Sequence, residues 1–235
     1  MSQITNKTQE KARALVWVEN ESLALKSFKG KPVISRLLQA LQIPEIEAIG
    51  LLATEKQKQM LQKVVSDSID WLIVDSVSDF GQSVLWAEDW FKGFEGNVVL
   101  SSAGMPFMDK PTIRALIQCQ NNGNSVGCLP LVSTKPIGQN WQVEMDDDGK
   151  IRRLNELEPN KKIQTFTAFP WCFEWDCLQR ALYQVGTQQG TYPLQDIVEK
   201  VTDNGFEVAG IIFKDETPFL KLTLENEKEI LNRNL

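Results

Sequence analysis

Hydrophobic positions along the chain fall into short continuous runs separated by segments of helical spacing. Ala14–Val18, Ala48–Ala53, Trp71–Val74, Asn97–Ser101 and Val126–Leu131 are apolar runs of strand length. Runs of this kind suit parallel strands covered on both faces. Between them, Val33, Leu37, Leu38 and Leu41 repeat at helical spacing after Pro32, which fits a first helical position. Thr54 is placed to cap a helix over Glu55–Val65, and Asp109 to cap one over Asp109–Gln120. Gln82–Phe91 reads as a further helix and Glu19–Lys29 as a loop. The order β-α-β-α-β-α-β-α-β predicts an α/β fold with a mostly parallel, doubly wound sheet and flanking helices.

After Pro136 the pattern changes. Gln139–Met145 and Ile151–Leu157 flank Asp146-Asp147-Asp148-Gly149, as in an antiparallel hairpin. Gln164–Phe173 reads as one extended stretch. Helices follow over Glu174–Val185 and Pro193–Asp203, then a strand over Glu207–Phe213 and a charged helix over Glu225–Asn232. This is an antiparallel C-terminal elaboration. No repeat and no linker rich in Pro, Gly or Ser divides the chain, so one domain over residues 1–235 is expected, with halves at 12–131 and 132–235.

Composition narrows the chemistry. Lys+Arg number 25 against 31 Asp+Glu, a net charge of −6, which argues against sequence-independent nucleic-acid binding. No apolar run approaches the ~20 residues of a membrane span, and the polar start Met1–Lys11 has no signal-peptide core, so a cytoplasmic protein without membrane contact is expected. The absence of His removes His-based triads, His-ligated zinc and imidazole acid–base work. Cys119, Cys128, Cys172 and Cys177 are spaced by 8, 43 and 4 residues, without a C-x-x-C, and read as buried or half-buried thiols in a reducing cytoplasm.

Several segments, in order, resemble the bacterial sugar-1-phosphate nucleotidyltransferases, above all the uridylyltransferase half of the bifunctional N-acetylglucosamine-1-phosphate enzymes. Gly30-Lys31-Pro32-Val33-Ile34 is similar to G-K-P-M-[IL], and Gly81-Gln82-Ser83-Val84 to the end of G-T-G-H-A-V. Val98-Val99-Leu100 with Met105-Pro106-Phe107 resembles V-L-x-G-D-x-P-L, and Thr112–Leu116 resembles the helix that follows it. Pro136-Ile137-Gly138 with Asp147–Ile151 resembles P-T-G-Y-G-R followed by D-x-D-G-K-V. Arg153–Glu156 resembles R-I-V-E, and Gly190–Ile197 resembles G-E-Y-Y-L-T-D-V. The resemblance implies a nucleotide-binding α/β domain whose chemistry is transfer of a uridylyl group from UTP to a sugar 1-phosphate, with Mg²⁺. It implies a nucleotide side at Val18, Gly81, Gln82 and Gly104, and a sugar side at Gly138, Glu156 and Thr167. No hexapeptide-repeat acyltransferase domain of the family is expected within these 235 residues.

The same comparison exposes departures. The family's Gly-rich, Arg-bearing first loop corresponds to Glu19–Lys26, which has no Gly and no Arg. Glu19 and Glu21 would repel a triphosphate, while Lys26 and Lys29 are the candidate replacement cations. The metal Asp corresponds to Gly104, and the Asn metal ligand to Thr223. Glycine offers no carboxylate, so no Mg²⁺ site of the family type is expected. Asp75, Asp79 and Asp109 are alternative carboxylates near strand ends, and Phe169 replaces a glycine of the sugar side. Two readings stay open: a remnant enzyme still handling a nucleotide or sugar phosphate, or a non-catalytic nucleotide-sugar-binding or protein-interaction module. For the second, Phe166–Trp175 is the candidate apolar patch.

Overall fold

The computed structural model describes residues 11–77, 80–133, 141–156, 165–185 and 192–232. In chain order the elements are β1 (Ala12–Trp17), α1 (Glu21–Ala24), β2 (Ser27–Phe28), β3 (Lys31–Pro32), α2 (Val33–Leu41), β4 (Ile46–Ala53), α3 (Glu55–Leu61), β5 (Asp70–Ile73) and α4 (Phe80–Trp86). Then come β6 (Asn97–Ser102), α5 (Lys110–Asn122), β7 (Gly127–Leu131), β8 (Trp141–Met145), β9 (Ile151–Asn155), β10 (Phe166–Thr167) and β11 (Trp171–Glu174). The chain continues through α6 (Trp175–Gln184), α7 (Leu194–Asp203), β12 (Val208–Ile212) and α8 (Glu227–Leu231).

Seven strands form the main sheet in the order β12-β7-β11-β6-β1-β4-β5. All neighbours are parallel except β11, which runs antiparallel to both β6 and β7. Leu15 of β1 sits at the centre, opposite Gly50 on one side and Leu100 on the other. Ala14, Leu15, Val16, Val98, Val99 and Leu100 are all fully buried, as strands covered on both faces must be. The antiparallel sheet β10-β8-β9 is separate, joined to the end of β7 by a bridge between Val132 and Phe166.

Four sequence expectations change here. Gln164–Phe173 is not one extended stretch: β10 belongs to the small sheet and β11 to the main one. Phe166, Trp171, Phe173 and Trp175 are buried, so Phe166–Trp175 is core and not an exposed patch. The helix expected over Gln82–Phe91 breaks at Ala87, whose φ of −87° and ψ of 5° leave the helical region, into α4 and a 3-10 turn over Glu88–Phe91. The loop Glu19–Lys29 is ordered: Asn20 caps α1 by accepting from the Leu23 N–H, and β2 and β3 pair around Lys29 and Gly30, at φ of 48° and 79°.

Candidate functional site

The strand order locates the crevice. From β1 the chain moves one way to β4 and β5, then returns to the other side of β1 as β6. In open α/β sheets ligands bind outside the carboxyl ends of the strands where the order reverses. That place lies beyond Trp17 of β1 and Ser102 of β6. Val18 and Glu19 follow β1 there, and Ala103 and Gly104 follow β6.

Its centre is an ion pair. The Lys221 Nζ donates to Glu19 Oε1 at 2.6 Å and stands 2.5 Å from Oε2. Ser102 Oγ donates to Glu19 Oε2 at 3.1 Å and accepts from the Gly104 N–H at 3.3 Å. The same ammonium lies 5.9 Å from the centre of the Trp17 ring. Lys221 is 7% exposed, so its charge is largely withdrawn from water.

The C-terminal segment delivers this lysine by alternation. Leu220 and Leu222 are buried in a small core with Leu23, Phe28, Val33 and Ile230. Extended backbone sends the intervening Lys221 to the opposite side. The Leu222 N–H donates to Gly104 O at 2.7 Å, and Asn226 Nδ2 donates to Lys221 O at 2.8 Å. Lys26 and Glu227 add a 2.7 Å ion pair between the first loop and α8.

Several residues assigned from the sequence spend their polar groups internally. The Val18 N–H donates to Leu52 O at 3.1 Å, and its carbonyl accepts from Gln57 Nε2 at 3.0 Å. Gly81 lies where a Cβ would sit 2.8 Å from Tyr192 O, so its backbone approach is to this chain's own backbone. Gln82, which follows it on α4, is half-buried. Gly104 and the Lys221–Leu222 backbone are brought together. Thr223 lies just beyond, where its N–H donates to Asn226 Oδ1 at 2.7 Å and its hydroxyl accepts from the Asn226 N–H at 3.4 Å. Glu156 is exposed at the end of β9, and Thr167 is fully buried in β10 with no hydrogen-bond partner for its hydroxyl. Gly138 and Asp79 lie outside the described residues.

Aromatic rings fill the space between these groups. Trp17 stacks on Phe80 with centroids 4.9 Å apart and planes 1° from parallel, and its Nε1 donates to Val77 O at 2.6 Å. Phe169 packs against Phe80 at 5.4 Å, Trp141 at 5.7 Å and Trp171 at 5.0 Å. Sequence reading missed Lys221, Trp17 and Gln57. The signal for Lys221 was present: a lone cation inside the apolar run Phe219-Leu220-Lys221-Leu222.

Among the described residues the donor set does not fit Mg²⁺. A hard divalent ion takes several oxygens, at least one of them anionic in such sites. Gly104 has none to give, Thr223 is engaged in its own turn, and the nearest carboxylate, Glu19, is held by an ammonium. Asp75 is exposed, and Asp109 accepts from the Thr112 N–H at 2.8 Å as the cap of α5. Asp146 accepts from the backbone N–H groups of Asp148 and Lys150, closing a hairpin turn. Among the described residues no helix is long and apolar enough to cross a membrane.

Comparison with known proteins agrees with the topology. No family model matches the chain. It is 25% identical over 189 residues to the bifunctional protein GlmU of Clostridium tetani, covering 77% of this chain and 41% of that protein. It is 22% identical over 210 residues to the bifunctional protein GlmU of Aquifex aeolicus, covering 83% of this chain and 45% of that protein. The match thus spans under half the length of these curated relatives. Among solved structures, the 4-diphosphocytidyl-2C-methyl-D-erythritol synthase of Anaerococcus prevotii superposes with a TM-score of 0.67 at 14% identity, over 95% of each chain. A CMP:2-keto-3-deoxy-manno-octonic acid synthetase complexed with CTP gives 0.64 at 11% identity, over 87% of this chain and 90% of that one. The chain is similar in sequence to part of the GlmU proteins, and in fold to 4-diphosphocytidyl-2C-methyl-D-erythritol synthase and CMP:2-keto-3-deoxy-manno-octonic acid synthetase.

Proposed function

We propose that this domain binds a nucleotide or nucleotide sugar at the β1–β6 crevice and does not carry out metal-dependent uridylyl transfer. One observation carries the reading: beside Gly104 stands the Lys221–Glu19 ion pair, where the resemblance implies a metal-binding carboxylate. Nucleotidyl transfer depends on positioning and on neutralising charge that develops on the phosphates. One ammonium, already paired with a carboxylate, supplies little of that. Binding is favoured by the crevice at the switch point and by the relatives, among which a fold neighbour is described in complex with CTP.

The test is calorimetry with UTP, CTP and UDP-N-acetylglucosamine, with Mg²⁺ and with EDTA, beside an assay of pyrophosphate release from UTP and N-acetylglucosamine 1-phosphate. Binding that is indifferent to Mg²⁺, with no pyrophosphate released, is expected. Pyrophosphate release that depends on Mg²⁺ overturns the reading.

The aromatic filling favours a second reading, an interaction module that has closed its ligand space. Trp17 on Phe80, with Phe169 behind, occupies the floor next to Gly81 and Gln82. Failure of every nucleotide to bind, together with a stable self-associated state in sedimentation, would select it.

A further inference from the structure

Resting on the nucleotide-binding reading, we infer that the Lys221 ammonium, in place of a divalent cation, receives the phosphate oxygens of the ligand, and that Glu19 is an internal counter-ion the ligand displaces.

Gly104 and Lys221 stand side by side. A Cβ on Gly104 would lie 3.2 Å from Leu222 O and 3.7 Å from Lys221 Cγ. A side chain at 104 would crowd the Leu222 carbonyl and lie in ordinary van der Waals contact with the lysine stem, so a carboxylate there would stand beside Lys221. With Lys221 in place, a carboxylate at 104 would pair with it before it could ligate an ion.

The groups around Glu19 form an anion cradle. Lys221 Nζ and Ser102 Oγ both donate to its carboxylate, and the Gly104 N–H supports Ser102 from behind. A carboxylate held by an ammonium and a hydroxyl is stereochemically close to one edge of a phosphate group. Glu19 itself sits on the loop after β1, and its side chain is 24% exposed against 9% for Lys221. The carboxylate can swing to water, whereas the lysine is fixed between Trp17 and the small core. Nothing in the exchange needs a metal: one anion leaves the ammonium and another takes its place.

The experiment follows inorganic pyrophosphate and UTP by calorimetry, in EDTA and again in Mg²⁺, with wild type, Glu19→Gln, Lys221→Met and the double variant Glu19→Gln/Lys221→Met. Glu19→Gln removes the competitor, so pyrophosphate should bind about tenfold more tightly or better, the equivalent of ~1.4 kcal/mol. Its melting temperature should fall without ligand, because it takes a carboxylate away from a buried ammonium, and pyrophosphate should restore more of it than in wild type. Lys221→Met should lose at least about tenfold, the same ~1.4 kcal/mol. If that variant does not fold, the double variant, whose pair is replaced by neutral groups, gives the same reading. Equal affinity in wild type and both lysine variants overturns the inference and leaves the nucleotide-binding reading standing. Binding that appears only with Mg²⁺ also overturns it. No binding of either probe to wild type or to Glu19→Gln defeats both.

Discussion

Cys119 is half-buried on α5 and meets the fully buried Cys128 of β7, which in turn pairs in register with Cys172 of β11. A hydrogen bond from the Cys128 thiol favours the Cys119 thiolate and outweighs partial burial, drawing its pKa down to about 7. The partner keeps its proton: Cys128 is pushed far up, first by the same hydrogen bond and then by burial. Burial also raises Cys177, to about 11, and raises Cys172. The nucleophile is the thiolate, so iodoacetamide should modify Cys119 first. The rate should climb through about pH 7, read by mass spectrometry of the digested protein. Cys128→Ala removes the donor, disfavours the charged form, and should move that rise upward toward the ordinary thiol range. An unchanged profile would show that the hydrogen bond does not set the acidity. Spacing alone read these four residues as buried or half-buried thiols; the meeting of two of them is a property of how α5 packs on β7.

Among elements, those with strong local signals were legible. The repeat of Val33, Leu37, Leu38 and Leu41 places α2 over Val33–Leu41, as found. Asp109 before Lys110-Pro111 reads as a cap, and its carboxylate accepts from the Thr112 N–H at 2.8 Å. Asp109→Ala should therefore cost about 1 kcal/mol, seen as a lower urea midpoint. Because the carboxylate serves the helix and not a metal, nucleotide affinity should stay within experimental error. A loss of binding without a loss of stability would give Asp109 a ligand role instead. Where the local signal was silent, tertiary context decided. Trp171–Glu174 is as apolar as the strands before it, so nothing in its pattern says that it runs antiparallel between β6 and β7. Only the pairing of Cys172 with both Val99 and Cys128 shows that the sheet has opened to admit it.

At the scale of the molecule, the alternation of strands and helices was enough to expect a doubly wound sheet, while the crevice beside β1 follows from the observed strand order. The occupant of the crevice was not legible, because its parts are distant in sequence. Glu19 and Lys221 are 202 residues apart. They meet only because β1 ends at the switch point and the C-terminal segment packs back on α1, β2 and α2. This coupling sets what repair of the metal site requires. Restoring the carboxylate alone, by Gly104→Asp, places a second anion beside Lys221, and the ammonium should pair with it. Gly104→Asp should then bind no Mn²⁺ in a titration followed by electron paramagnetic resonance. Adding Lys221→Asn removes the ammonium, frees Glu19 and supplies a neutral oxygen beside two carboxylates, a donor set that suits a hard divalent ion. The double variant should bind Mn²⁺ where neither single variant does, and the effect should exceed the sum of the two because the positions share partners. Mn²⁺ binding by Gly104→Asp alone would show that Lys221 is no obstacle, and that only the missing carboxylate separates this crevice from a metal site.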